Sequence, residues 1–196
     1  MENLKVVEHR DFFTACYTTM LTTADIDNNK ILKESKIIQS KDLGRKLTNL
    51  GGWQSNDVLE AELNNYPEMK KMVVKAMDIC LEIYKLWQIG DTVYFDNMWI
   101  NMNNKHDFNL KHVHPRSFFS VVYYVKTNEK AGDIMFYRPD TQEHYIDSPT
   151  PNEYTNKKLQ IRPKDGLLLC FPSYLPHIVY PNESNEERVS IAINFK

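Results

Sequence analysis

Cysteine is scarce in this sequence. Cys16, Cys80 and Cys170 are its three cysteines; they are odd in number, far apart, and form no C-x-x-C pair. That pattern argues against a disulfide scaffold and for a reducing, cytoplasmic compartment. Long apolar runs are missing too. No stretch approaches the length needed to cross a bilayer, and no apolar segment follows Met1-Glu2-Asn3-Leu4-Lys5, so neither a membrane span nor a signal peptide is expected. Charge of one sign is lacking as well. The chain has 24 Lys and Arg against 26 Asp and Glu, a formal net charge of −2. This speaks against a general binder of nucleic acid or membrane surfaces. There is no internal repeat and no low-complexity tract.

The remaining composition is that of an ordinary globular protein, 42% hydrophobic and 26% charged over 196 residues. A chain of this size buries roughly 70% of its extended surface, so it needs neither a disulfide nor a metal merely to fold. One domain over residues 1–196 is expected, with residues 1–90 a helical or mixed support region and residues 91–196 a β core. Asp27 can cap a helix over residues 28–40. Gly51-Gly52-Trp53-Gln54-Ser55 is a turn carrying a large aromatic. The clearest helix covers residues 67–87, with Pro67 in the first turn, where a missing N–H costs nothing. Met69, Met72, Val73, Ala76, Cys80, Ile83, Tyr84 and Trp87 fall on one face at helical spacing, and Gly90 follows as a stop. Such a stripe reads as core packed on a sheet rather than as a cofactor face.

After Gly90 the pattern changes. Residues 91–103, 117–125, 133–137, 167–171 and 188–195 are rich in Val, Ile, Tyr and Phe and are separated by turn residues. They predict a run of short strands in a closed or two-sheet β architecture. Residues 138–163 are polar and long for a structureless loop, which makes them a candidate lid or substrate loop.

Chemistry concentrates in Lys111-His112-Val113-His114-Pro115. In a strand, residues i and i+2 share a face, so His112 and His114 can present two imidazoles to one metal ion. Pro172-Ser173-Tyr174-Leu175-Pro176-His177 supplies a third imidazole directly after an apolar strand. Three protein ligands on one face leave open positions for substrate and dioxygen, as in non-haem iron enzymes. Turn residues 180–185 then reverse the chain and bring Arg188 and Ser190 back on one face of the last strand. An arginine there can bind a carboxylate bidentately, and the serine hydroxyl adds a hydrogen bond. Taken singly, each of these elements also fits a bland surface or core role.

Together, His112-x-His114, His177 and Arg188-x-Ser190, with Tyr123-Tyr124 between them, resemble the iron(II)/2-oxoglutarate-dependent oxygenases. Val121-Val122-Tyr123-Tyr124-Val125 and Ala131-Gly132-Asp133-Ile134-Met135-Phe136 are similar to the matching strands of prolyl-hydroxylase-like members. More closely, the chain resembles a 2-oxoglutarate oxygenase family of marine bacteria and phages. That resemblance rests on Gly51-Gly52-Trp53-Gln54-Ser55, Trp99-Ile100-Asn101, His112-Val113-His114-Pro115-Arg116-Ser117, Phe171-Pro172-Ser173, Leu175-Pro176-His177 and Arg188-Val189-Ser190-Ile191-Ala192-Ile193-Asn194. It implies a mainly β fold with flanking helices, a double-stranded β-helix or cupin-like jelly roll. It also implies Fe(II), 2-oxoglutarate and O2, and hydroxylation of a substrate with release of succinate and CO2. On this resemblance His112, His114 and His177 match the metal positions, and Arg188, Ser190 and Tyr124 match the groups around the distal carboxylate of 2-oxoglutarate. Asn101 and Trp99 fall where the preceding strand passes the cosubstrate. The implied partners are a small-molecule or peptide substrate, with no nucleic acid and no membrane; a homodimer stays open.

The sequence departs from the usual family pattern at His114, where most members carry Asp or Glu. Asp107, five residues before His112, is the alternative carboxylate ligand, and Asp133 is also near. A three-histidine cupin-type dioxygenase without 2-oxoglutarate, and a jelly-roll binding protein without catalysis, are the competing readings. His106 and His144 read as loop residues near the site, Cys170 as a buried hydrophobe, and Trp53 and Trp87 as core. Arg116 and Arg138 are expected near the mouth, where they could meet an acidic substrate.

Overall fold

The structure is a computed structural model that describes residues 14–139, 148–150, 152 and 155–196. Among the described residues, eleven strands fall into two antiparallel sheets. The six-stranded sheet runs β1 (Tyr17–Met20), β9 (Leu167–Pro172), β6 (Phe119–Lys126), β11 (Arg188–Phe195), β4 (Phe95–Asn103) and β3 (Trp53–Gln54). The five-stranded sheet runs β2 (Asn49–Leu50), β5 (Phe108–His112), β10 (His177–Val179), β7 (Ile134–Tyr137) and β8 (Lys158–Ile161). This is the mainly β, jelly-roll architecture expected from the sequence.

The six-stranded sheet has two distinct faces because side chains alternate along a strand. Val189, Ile191, Ile193 and Phe195 of β11, Met98, Ile100 and Met102 of β4, and Val121, Tyr123 and Val125 of β6 enter one apolar cluster with the helices. The alternate residues, Asn97, Trp99 and Asn101, Val122 and Tyr124, and Ser190, Ala192 and Asn194, line a cavity on the other face. Strand register sets these alternates in rows. Ser190 lies between Asn101 and Tyr124, Ala192 between Trp99 and Val122, and Asn194 between Asn97 and Ser120. A slip of one residue would turn every polar member of these rows into the helix-facing core, so the hydrophobic pattern fixes the site along with the fold.

Two helices cover the outer face, packing on β6 and β11. The first, α1 (Asn28–Gln39), begins at Asp27, whose carboxylate accepts from Asn29 N and Lys30 N. The second, α2 (Pro67–Leu86), buries Met69, Met72, Val73, Ala76, Cys80, Ile83 and Tyr84, the stripe expected from its spacing. Its first turn lacks a side-chain cap of its own. Glu34 of α1 supplies one by accepting from Glu68 N at 3.0 Å and Met69 N at 2.8 Å, an anion where the helix dipole favours it.

Several expectations change. Gly90 does not stop α2: the helix ends at Leu86, and Gln88 takes the left-handed conformation with φ 54°. Strand β8 lies within the segment read as a loop, because pairing with β7 organises it. Residues 140–147, 151 and 153–154, on which the lid reading rests, lie outside the described residues. Strands β1, β2, β3, β5, β8 and β10 are short, and tertiary pairing defines them. Gly51 and Gly52, with φ 70° and 62°, carry the chain from β2 in one sheet to β3 in the other. A Cβ on Gly51 would sit 1.8 Å from Asp107 Oδ1. No helix is long and apolar enough to cross a membrane among the described residues.

Candidate metal centre

His112 and His177 face each other directly across β5 and β10. His114 does not share the strand: β5 ends at His112, and the His114 backbone N–H donates to Ser173 O at 2.8 Å. The two imidazoles still lie on one side, stacked with centroids 5.3 Å apart and planes 18° apart. His177 completes the set, 4.2 Å from His112 and 5.1 Å from His114 by ring centroid. One ring nitrogen from each histidine lies within 4.8 Å of the others, and among the described residues this is the group of His, Cys, Asp and Glu side chains that could hold a metal ion.

Each ring is oriented through its Nδ1. His112 Nδ1 lies 2.6 Å from Leu110 O, and His177 Nδ1 lies 2.9 Å from Leu175 O. His114 Nδ1 lies 2.8 Å from Asn194 Oδ1. A carbonyl oxygen only accepts, so each Nδ1 carries the proton and each Nε2 is left with a bare lone pair. That is the tautomer a metal needs, and partners on the second nitrogen are the usual way of fixing it. The rings are also held neutral. Burial depresses the pKa of His112, and burial reinforced by the neighbouring His112 depresses that of His114 to about 4. Burial, then His112 and His114, hold His177 well below its ordinary value. Three neutral nitrogen donors thus converge without having to lose protons first.

Asn194 is itself held. Ser120 Oγ donates to Asn194 Oδ1 at 2.9 Å, Asn194 Nδ2 donates to Asn97 Oδ1 at 2.9 Å, and the Ser120 and Ser173 hydroxyls are 2.8 Å apart. Sequence reasoning missed this network. Its one local signal is the alternation of Ser190 and Asn194 with apolar residues in β11.

Asp107 does not join the histidine group. Its carboxylate accepts from Asn104 N at 2.7 Å and packs against Gly51, shaping the turn between β4 and β5. Asp133 is engaged by Gln160 at 2.5 Å and Arg162 at 3.6 Å. The two expected arginines are not cavity walls either. Arg116 is exposed with φ 70°, and Arg138 donates to Asn156 O. Among the described residues, the arginine that lines the cavity is Arg45. His106 is exposed beside Glu183, and His9 and His144 lie outside the described residues. Cys170 is buried, its thiol pushed well up and 3.6 Å from Cys80. Trp53 and Trp87 pack against the main apolar cluster.

The cavity, about 280 Å³, runs between the two sheets past the histidines. Tyr124, Ser190 and Asn101 are among its walls, whereas Arg188 is buried beside them without lining it. Three buried polar atoms gathered here have no partner: Tyr124 Oη, Asn101 Oδ1 and Arg188 Nη2. The other end of the guanidinium is fixed, since Arg188 Nη1 donates to Ala131 O and to Tyr180 O at 3.0 Å. Burial raises the Tyr124 pKa to about 12, opposed by Arg188, so the hydroxyl keeps its proton. Two orphaned donors, Tyr124 O–H and Arg188 Nη2–H, each cost about 1–3 kcal/mol unless an acceptor arrives. A carboxylate is the acceptor that suits both, so the residues present fit 2-oxoglutarate as well as a metal.

Comparison with known proteins agrees with this geometry. Residues 97–194, half of the chain, match the family described as "Putative 2OG-Fe(II) oxygenase". The chain belongs to that family. This 2OG-Fe(II) oxygenase is therefore a 2-oxoglutarate-dependent dioxygenase, an oxidoreductase whose cofactors are Fe(II), 2-oxoglutarate and O2. Its fold is similar to that of a prolyl-4-hydroxylase from Pseudomonas putida, with 15% identity, TM-score 0.66, and coverage of 93% of this chain and 92% of that one. The viral collagen prolyl hydroxylase of Paramecium Bursaria Chlorella virus-1, solved as a 2OG complex, shares 13% identity with TM-score 0.62, covering 92% and 94%. The Trichoplax adhaerens prolyl hydroxylase, solved with a hypoxia inducible factor peptide fragment, shares 14% with TM-score 0.63, covering 93% and 82%. At these identities the likeness is one of fold. No curated protein sequence matches the chain significantly.

Proposed function

We propose that this oxygenase hydroxylates a small substrate with release of succinate and CO2, and that His112, His114 and His177 hold its iron through their Nε2 atoms. The observation that carries the reading is the triple Nδ1 anchoring, which leaves the Nε2 atoms free as donors in a group whose ring nitrogens lie within 4.8 Å of one another. The bound iron, with 2-oxoglutarate and O2, supplies the oxidising chemistry. The chain's own residues position and shield it. Tyr124 and Arg188 donate to the distal carboxylate of 2-oxoglutarate, with Ser190 and Asn101 completing that end of the cavity. Phe171 and Phe136 pack on the His177 ring at 4.9 and 5.5 Å and exclude water from one flank.

His114 stands where a carboxylate ligand is usual, so among the described residues no carboxylate joins the three histidines. The carboxylates of 2-oxoglutarate then supply the nearest compensation, and metal and cosubstrate should each tighten the other's binding. Arg188→Ala tests the cosubstrate assignment. Removing a charge-assisted partner of about 1.5–3 kcal/mol should weaken 2-oxoglutarate at least tenfold in anaerobic titrations of the metal-loaded protein. Unchanged affinity would remove Arg188 from the site. Succinate release under O2 across candidate substrates tests the reaction itself.

A further inference from the structure

The cavity carries one charged pair that neither the histidines nor the cosubstrate residues use. Arg45, before β2, and Asp57, after β3, both line its wall, and apart from the histidines they are its ionisable acid and base among the described residues, Tyr124 aside. Arg45 Nη2 meets Asp57 Oδ1 at 2.5 Å. The arginine backbone is pinned on both sides: Arg45 N donates to Gln54 O at 2.8 Å, and Asn49 Nδ2 donates to Arg45 O at 3.3 Å. Its Nε–H is buried and has no acceptor. Its Cζ lies 5.8 Å from the Trp99 ring centroid, and the same indole lies 5.2 Å from the His114 ring. The pair is therefore incompletely satisfied and one indole away from the metal centre. A purely structural ion pair does not explain a buried donor left open, since buried donors are nearly always satisfied.

We propose that this wall anchors the primary substrate, and that the substrate is a free α-amino acid. Its carboxylate takes guanidinium N–H donors of Arg45 that Asp57 leaves unpaired, on a planar fork that suits carboxylates. Its α-ammonium sits against Asp57, whose Oδ2 has no hydrogen bond within the described residues. Its side chain extends past Trp99 toward the histidines. Two opposite charges held one hydrogen bond apart match a zwitterion whose charges flank a single carbon. An internal peptide residue carries neither charge. Size points the same way: about 280 Å³ lies at the small end of ligand pockets, and 2-oxoglutarate must share it. This inference rests on the reading that the three histidines hold the reacting iron.

The test is a binding experiment on the full chain loaded with Zn(II) in place of Fe(II) and saturated with 2-oxoglutarate, so that no turnover intervenes. Each of the twenty free L-amino acids is titrated by calorimetry or ligand-observed NMR, followed by the α-carboxamide and N-acetyl forms of the best binder. At least one amino acid should bind, and each capped form should bind at least tenfold more weakly. Arg45→Gln should weaken the amino acid at least tenfold while 2-oxoglutarate affinity stays within about twofold. Arg45→Lys keeps the charge and the partner of Asp57 but loses the fork, and should also weaken the amino acid. Asp57→Asn should erase the discrimination between the free and N-acetyl forms. The proposal is overturned if no amino acid binds to protein that binds 2-oxoglutarate normally. It is equally overturned if Arg45→Gln and Arg45→Lys bind the amino acid as wild type does, or if a capped peptide binds more tightly than the free amino acid. Failure of wild-type protein to bind 2-oxoglutarate would instead overturn the histidine-site reading and this inference with it.

Discussion

Replacing Asn194 with alanine probes how the metal centre is built without touching a ligand. Asn194 Oδ1 is the acceptor for His114 Nδ1–H at 2.8 Å and for the Ser120 hydroxyl at 2.9 Å. Without it, the His114 proton is free to move to Nε2, and the ring is free to rotate within the space that the asparagine vacates. Loss of such an orienting partner costs roughly 10–100-fold in metal affinity, or about 1.4–2.7 kcal/mol. The same substitution removes one of the two partners of Ser120, which keeps Ser173, and the donor to Asn97 Oδ1, so the metal-free fold should lose about 1–3 kcal/mol as well. The two effects separate experimentally. Anaerobic competition titrations against a chelator of known affinity report the metal term, and thermal melts in chelator report the fold term. Ser120→Ala is the control: it removes a donor to Asn194 but keeps the His114 contact, and should change metal affinity by no more than about threefold. If folded Asn194→Ala protein binds Fe(II) as tightly as wild type, the tautomer-fixing role is wrong.

Further outcomes follow from the same geometry. Tyr124→Phe should act in opposite directions on two measurements: removal of a buried hydroxyl without a partner should raise the melting temperature of cosubstrate-free protein, while 2-oxoglutarate binding weakens about tenfold or more. A variant that lowers both stability and affinity would contradict the assignment. Metal-free protein should lose stability as pH falls. The folded-state pKa of His114 is depressed from 6.5 to about 4, so the unfolded chain takes up the proton first. Above pH 6.5 this group contributes nothing to the pH dependence. Between pH 6.5 and about 4 it destabilises the fold by up to about 3 kcal/mol, and below that the loss levels off. His177, shifted the same way, adds to the loss. Denaturant unfolding in chelator across this window checks it, and a flat profile would show that the rings are not held neutral.

What the sequence disclosed followed periodicity and contiguity. The stripe from Met69 to Tyr84 and the alternation from Arg188 to Phe195 each lie within one element, and both were legible. So were His112, His114 and His177, because an H-x-H and a histidine beside an apolar strand are local patterns. The inference that His112 and His114 share a strand face was right about the face but not about the strand: β5 stops at His112, and Ser173 holds the backbone of His114. What stayed hidden is set by long-range register. Ser120, Asn194 and Asn97 form one row only because β6, β11 and β4 pair as they do. Arg45 reaches the cavity because the Gly51-Gly52 turn crosses between the sheets and pins it to Gln54; Arg116 and Arg138, nearer the histidines in sequence or on a neighbouring strand end, do not line it. Short strands such as β5 and β10 carry too few residues to show a period and are defined by their partners. Asp107 illustrates the converse: proximity in sequence suggested a ligand, whereas its contacts with Asn104 and Gly51 commit it to a turn.

The most direct measurement is a crystal structure of the protein grown anaerobically with Fe(II) and 2-oxoglutarate. The expected result is a metal bonded to Nε2 of His112, His114 and His177, with the distal carboxylate of 2-oxoglutarate within hydrogen-bond reach of Tyr124 Oη and Arg188 Nη2. A metal that recruits Asp107 in place of His114, or a 2-oxoglutarate carboxylate seated on Arg45 instead, would contradict the central claim.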